Sequence, residues 1–316
     1  MRRLFLILAS VILLAVACER KVLLEPDHHH GNEVFVSVDV TAVTESDAKV
    51  GDDPNLYLNI LNSARSITII AYPKSDGARY GVHQIKGMAG SIWLMPGLYD
   101  LLIYTSDFYD LDGTFYRGLE TSFTAEAYTN QVKSSRTKQQ VKSYDMDAPD
   151  PLFVHFYEDF EVVEGDNTLV GGLMPMAYKY WYEVDVDGLD YITSVQMEID
   201  GMYTSVYMAS GEHREEEYGT QRVESTIHKD ENKIKGEFFS FGPHQDSAVK
   251  NSMILTFVNG RTIRVQLDDI SPEIKKLTKG GEIVIEQKIV INVDDTGSGF
   301  IPEVEDWDEE EVNIQI

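Results

Sequence analysis

Val34, Val36, Val38 and Val40 alternate with Phe35, Ser37, Asp39 and Thr41, and a period of two puts one set on a buried face and the other in solvent. The pattern predicts a strand. Segments of similar make-up predict further strands over 66–72, 91–95 and 98–105, the last two joined through the turn pair Pro96-Gly97. Before them, within 52–65, Leu56, Leu58, Ile60 and Leu61 form a mixed pattern that fits one short helix.

A second body is expected after 152–163. Tyr178, Tyr180, Tyr182, Val184 and Val186 alternate with Lys179, Trp181, Glu183 and Asp185, so one face of this strand is richly aromatic. Such rings fill a sandwich core or its rim, and the competing use is a platform on which a ligand stacks. Strands are also predicted over 192–199, 203–208, 221–228 and 233–241. Two alternating runs, 252–258 and 261–267, flank Asn259-Gly260, the pair best suited to a type I′ hairpin turn. A helical turn at 272–277 and a long strand over 282–293 close the body. Many short strands with turn signals between them predict an all-β chain of two sandwiches, over 34–163 and 164–295, rather than a parallel α/β sheet.

Both ends depart from this pattern. Met1, Arg2 and Arg3 precede an apolar run over 4–14, and Ala15-Val16-Ala17 lead to Cys18, which makes 1–17 a secretory signal. About a dozen apolar residues fall short of the roughly 20 that a helix needs to cross a bilayer. A cysteine after small residues is where lipoprotein processing attaches diacylglycerol and cuts, so Cys18 is the expected lipidation site and new N-terminus. Ala15 stands where Leu is commonest. Each buried methylene contributes about 0.8 kcal/mol, and two acyl chains hold where one is marginal. Residues 18–33 read as a polar tether holding Pro26 and the triplet His28, His29, His30. The histidines could bind a divalent metal, but no acidic or Cys partner at fixed spacing accompanies them. At the other end, 296–316 runs from Thr296-Gly297-Ser298-Gly299 through carboxylates around Trp307 to alternating Val312, Ile314 and Ile316.

Composition narrows the function classes. Cys18 is the only cysteine, which excludes a disulfide framework and Cys-ligated metal. With 53 acidic against 27 basic residues and a formal charge of -26, the chain repels phosphate backbones, so nucleic acid is excluded as a partner.

Candidate chemistry is sparse. Glu183, Asp185, Asp187 and Gly188 follow the first half of a calcium loop, but Ser194 falls where a bidentate carboxylate belongs. Asp107, Asp110, Asp112 and Gly113 make a looser acidic turn. His83, His155, His213, His228 and His244 share no motif, and no Gly-rich phosphate loop follows a strand. The reading is therefore no enzyme, no cofactor and no metal site. What remains is interaction, because an exposed sheet edge accepts another chain's strand through backbone hydrogen bonds. Val312, Ile314 and Ile316 are shaped as a donor strand, and folding back onto their own sandwich is the equal alternative.

Four segments carry a resemblance. They are Cys18-Glu19-Arg20-Lys21; Met95-Pro96-Gly97-Leu98-Tyr99-Asp100-Leu101-Leu102-Ile103-Tyr104; Tyr180-Trp181-Tyr182-Glu183-Val184 leading to Gly201-Met202; and Gly299-Phe300 through Glu305-Asp306-Trp307 to the end. In this order they resemble the fimbrillin-like lipoproteins of Bacteroidales, specifically the anchor type of the minor fimbrium. The resemblance implies two tandem transthyretin-like, Greek-key β-sandwich domains, export to the outer membrane, and anchoring or assembly of surface fimbriae by strand exchange with other fimbrial subunits. It also implies that an Arg- or Lys-specific protease removes the first strand in stalk subunits and not in anchors; here Lys49 and Arg65 are the sites open to a cut. Acidic runs after the lipidated Cys favour surface display in this phylum, whereas Arg20 and Lys21 follow Glu19 here. The alternative is a surface lipoprotein that binds glycan or host protein through Tyr178, Trp181 or exposed neighbours.

Overall fold

The computed structural model describes residues 32–43, 50, 53–75, 80–107, 113–129, 131–133, 144–293 and 300–305. The chain is all-β and sandwich-like. Its earlier strands are β1 (Val34–Val43), β2 (Ser66–Pro73), β3 (Gly81–Lys86), β4 (Ala89–Leu94), β5 (Gly97–Asp107), β6 (Thr114–Arg117), β7 (Glu126–Thr129), β8 (Gln131–Lys133), β9 (Tyr144–Met146), β10 (Phe153–Val162) and β11 (Asn167–Pro175), with helix α1 (Leu56–Leu61) ahead of β2. Next come β12 (Tyr178–Asp187), β13 (Ile192–Tyr203), β14 (Ser205–Tyr207), β15 (Tyr218–His228), β16 (Lys233–Ser240), β17 (Asn251–Phe257) and β18 (Thr262–Gln266). A short helix α2 (Ser271–Ile274) leads to β19 (Gly281–Val293) and β20 (Phe300–Glu305).

One sheet has the order β3-β2-β5-β10-β11-β1-β4. Its end strands β3 and β4 are consecutive in the chain yet distant in that order, and they meet: a Cβ on Gly90 would lie 2.5 Å from the Ile85 side chain. The sheet therefore curls onto itself. Its interior holds Val36, Val38, Val40, Tyr57, Leu61, Ile67, Ile69, Leu101 and Ile103. A second sheet runs β18-β17-β13-β15-β16-β12-β19-β20, with β9 beside β15 and β8 beside β9. Tyr180, Tyr182, Val184 and Val186 face its core together with Met197, Met253, Leu255, Ile283 and Ile289. The predicted aromatic face is thus largely core.

A third, three-stranded sheet, β14-β7-β6, covers a further core of Ile70, Tyr72, Leu102, Tyr104, Ala127, Val154 and Phe241. It lies over the outer side of the first sheet, so β2 and β5 are buried on both faces. That is why Ile69–Tyr72 and Leu101–Tyr104 read as continuous apolar runs rather than alternations.

Two expectations need correction. The proposed border after Val163 does not separate the sheets: β11 pairs with β1 and β10 in the first sheet, while β9 pairs with β15 in the second. Pro96-Gly97 does join β4 to β5, which are not neighbours in the sheet order: β4 is an end strand and β5 lies between β2 and β10. The Asn259-Gly260 hairpin forms between β17 and β18, but Gly260 alone of the pair has positive φ, at 81°. The Gly260 amide donates to the Phe257 carbonyl at 2.8 Å, and the Asn259 side chain accepts from the Arg261 amide at 3.0 Å. This is a type I turn followed by a left-handed glycine, which holds without placing Asn259 in the costlier conformation.

Candidate functional site

The first strand occupies an interior slot. β1 lies parallel to β11 and antiparallel to β4, in register from Val36 opposite Asn167 and from Val34 opposite Leu94. Alternation aims Val36, Val38 and Val40 inward, where each is at most 1 % exposed. Each buried valine contributes roughly 1.5–3 kcal/mol, so the slot holds its strand firmly. Asn167 ties down one end: its side-chain amide donates to the carbonyls of Val163, Gly165 and Phe35, and its oxygen accepts from the Val163 amide. Outside, Phe35 and Trp93 meet edge to face with ring centres 5.6 Å apart, and both are about two-fifths exposed.

Arg65 is exposed at the end of the segment that follows α1, but its backbone is engaged on both sides. The Arg65 amide donates to the Asp107 carbonyl at 2.8 Å, and the Arg65 carbonyl accepts from Gly87 at 2.7 Å. Just upstream, α1 buries Tyr57 and Leu61 completely. The other expected site residues, Cys18, Lys49, Val312, Ile314 and Ile316, lie outside the described residues, as do the histidine triplet and most of the turn at 107–113.

Folding also assembles a charged centre that spacing did not reveal. Glu126, 1 % exposed on β7, receives two-pronged hydrogen bonds from Arg117 at 2.7 and 2.9 Å and from Arg214 at 2.9 and 3.0 Å. Arg117 also reaches Glu217 at 2.9 Å. Burial alone would push the Glu126 carboxyl up, but the two guanidiniums outweigh it and hold the group at about 2. The centre joins β6 and β7 to the stretch after β14, about a hundred residues later in the chain for Arg117 and Glu217.

Next to it, Tyr203 stacks on His213 with ring centres 4.1 Å apart and leans on His244 at 5.1 Å. The His213 Nδ1–H donates to the Ser205 carbonyl at 2.9 Å, and burial holds its pKa below the ordinary histidine value. His244 accepts at Nδ1 from the amides of Asp246 and Ser247 and donates from Nε2 to the Glu215 carbonyl. Both rings are thus tied to backbone.

The acidic run on β12 is paired across strands. Glu183 accepts from Lys233 at 2.6 Å and Lys235 at 3.0 Å, and Asp187 meets Lys288 at 2.6 Å. Among the described residues no group of three or more His, Cys, Asp or Glu side chains is placed to hold a metal ion. Tyr178 and Trp181, the expected stacking residues, are partly buried: Tyr178 packs against both main cores and Trp181 against the first.

Interlaced curled sheets with an internal first strand define an all-β, sandwich-like class of protein. Residues 58–224 match the family described as a domain of unknown function, DUF5119, and the chain belongs to that family. It is 24% identical over 242 residues to a provisionally named fimbrium anchoring subunit, Fim4B, of Bacteroides ovatus, covering 75% of this chain. The matched region spans 64% of that relative's length. The resemblance read from the sequence agrees with this relative. A provisionally named adhesin of Bacteroides ovatus, solved by crystallography, superposes with a TM-score of 0.55 at 19% identity, covering 84% of this chain and 90% of the other, and shares the fold. The fimbrial anchor protein Mfa2 of Porphyromonas gingivalis covers 86% of this chain and 96% of its own at a TM-score of 0.42 and 11% identity.

Proposed function

We propose that the chain is an accessory or anchoring subunit of a surface fimbrium, held at the outer membrane by acyl chains on Cys18 and joined to other fimbrial subunits by β-strand addition. The observation that carries this reading is the similarity to a fimbrium anchoring subunit over three quarters of the chain. The preference for an anchor over a stalk subunit rests on that similarity. Removing β1 at Arg65 would require breaking two backbone hydrogen bonds and extracting Tyr57 and Leu61 from the core. Lys49 is the other site open to a cut, and Val312, Ile314 and Ile316 form the proposed donor face. The glycan- or host-binding alternative loses the support of Tyr178 and Trp181, whose rings are engaged in packing.

Deletion of the gene, followed by electron microscopy and isolation of shed fimbriae, tests the role. Detached or absent fimbriae, restored by the intact gene but not by Cys18→Ala, are the expected result. Unaltered fimbriae in the deletion strain, with no fimbrial protein co-purifying with the wild type, refute it.

A further inference from the structure

The segment 208–217 runs from β14 to β15 as a strap, fastened on two sides. Toward the third sheet, the Met208 amide donates to the Ala125 carbonyl at 2.9 Å, Arg214 grips Glu126, and Glu217 meets Arg117. Toward the second sheet, the Glu215 carbonyl accepts from His244 Nε2 at 2.9 Å. His244 is itself fixed to that sheet, because its backbone amide donates to the Gly201 carbonyl on β13 at 2.8 Å.

The His244 ring is 8 % exposed and lies between Tyr203 and Tyr218, with ring centres at 5.1 and 4.4 Å. Its Nδ1 accepts from the amides of Asp246 and Ser247 at 3.2 and 3.1 Å, so the side chain closes a turn on its own backbone. With Nε2 donating to the strap, both nitrogens are used and the ring is neutral. A second proton belongs on Nδ1, where it would face two amide hydrogens. The ring accommodates that proton by turning away from the amides, and the same rotation carries Nε2 off the Glu215 carbonyl. One movement therefore breaks the turn and the fastening together.

His213 reinforces the arrangement from the strap's side. It stacks on Tyr203, its Nδ1–H reaches the Ser205 carbonyl, and burial above all opposes a charge on it. The charged side chains around the two rings pull in both directions. Glu215 and Asp246 bring negative charge beside Tyr203, and Glu212 flanks His213 on the strap. Arg214, held on Glu126, and Lys275, whose ammonium donates to the carbonyls of Gln245 and Ser247, bring positive charge that opposes a further proton.

We propose that His244, backed by His213, is an acid-released fastening of the strap, which lets 208–217 part from the second sheet as the ring takes up a proton. The device goes beyond the fimbrial reading and does not depend on it. An exposed histidine titrates near about 6.5. A proton accepted only by the open strap therefore raises the open fraction about tenfold between about pH 7.5 and 5.5. The fastening is complete above this window and weakens down through it.

The test is hydrogen exchange on the full chain at those two pH values, corrected for the intrinsic rates. Protection of the Gly211, Glu217, Asp246 and Ser247 amides is expected to fall about tenfold at the lower pH, while Met253 and Leu255 on β17 hold theirs. In His244→Asn, the side-chain oxygen can still accept from the two turn amides but neither titrates nor reaches Glu215. The turn amides should then keep their protection at both pH values, and the strap should be weakly protected at both. Nitrogen chemical shifts of the His244 ring in the wild type give a second reading that needs no variant: Nδ1 should gain its proton in step with the loss of protection. Protection that does not change over the window, a fall that persists unaltered in His244→Asn, a loss shared equally by β17, or an Nδ1 protonated while the strap stays closed overturns the proposal.

Discussion

The Tyr57 hydroxyl, on α1, donates to the Lys279 carbonyl at 2.6 Å across 222 residues of sequence. The same oxygen accepts from the Lys179 amide at 3.0 Å. One side chain from the core of the first curled sheet therefore holds the start of β12 and the approach to β19 in the second. Burial, the main cause, raises the hydroxyl's pKa, so it remains a donor at all ordinary pH. Tyr57→Phe leaves the ring in place but strands a backbone amide and a carbonyl, at an expected cost of about 1–3 kcal/mol. Tyr57→Ala adds a cavity and should cost about 3–5 kcal/mol. Urea denaturation of both variants checks the order, and a Tyr57→Phe variant as stable as wild type would remove the hydroxyl from the account.

The Glu126 centre makes a pH prediction. A carboxylate held at about 2 against an ordinary 4.5 gives stability that is complete above pH 4.5 and is lost as pH falls toward 2. For a side chain this buried the contribution is on the order of 3 kcal/mol. Glu126→Gln should therefore be clearly less stable at pH 7, with the gap to wild type closing between pH 4.5 and 2. A gap that stays constant over that window would mean that charge is not what the two arginines recognise.

Gly236 lies opposite Tyr182 on the neighbouring strand, and the ring crosses directly over it. A Cβ there would sit 2.2 Å from the Tyr182 hydroxyl oxygen and 2.3 Å from its ring carbon. The ring cannot swing away freely, because its hydroxyl is bonded to Ser225 at 2.7 Å and its body is 1 % exposed. Gly236→Ala should cost about 1–3 kcal/mol through displaced packing, although alanine is the better residue by backbone entropy. A thermal melt that shows no loss would show that β12 and β16 shift apart readily.

Limited proteolysis tests the engaged state of β1. Trypsin needs an extended, accessible backbone, and the Arg65 amide and carbonyl are both bonded into the sheet. Native protein should resist cleavage after Arg65 while the same bond is cut in urea. N-terminal sequencing of the fragments identifies the bond, and rapid native cleavage there would favour a subunit that sheds its first strand.

Alternation along the chain was enough to locate β1, β12, β13, β15, β16, β17, β18 and β19, because a strand with one wet face must alternate whatever it packs against. The small helix α1 and the aromatic core face of β12 were legible for the same local reason. Sheet membership was not. The pairing of β11 with β1, the crossing of β9 into the second sheet, and the small sheet that buries the outer side of β2 and β5 depend on contacts remote in sequence, and periodicity carries no information about which edges meet. Arg117, Glu126, Arg214 and Glu217 look like ordinary surface charges when read singly; only the fold places them around one buried carboxylate. The sequence by itself determined the clearly alternating strands, the single cysteine and the acidic charge, all of which are properties of composition and neighbours. Tertiary structure alone decided which strand fills the slot and which ionic groups lose water, since each depends on distances that the chain acquires only when it closes on itself.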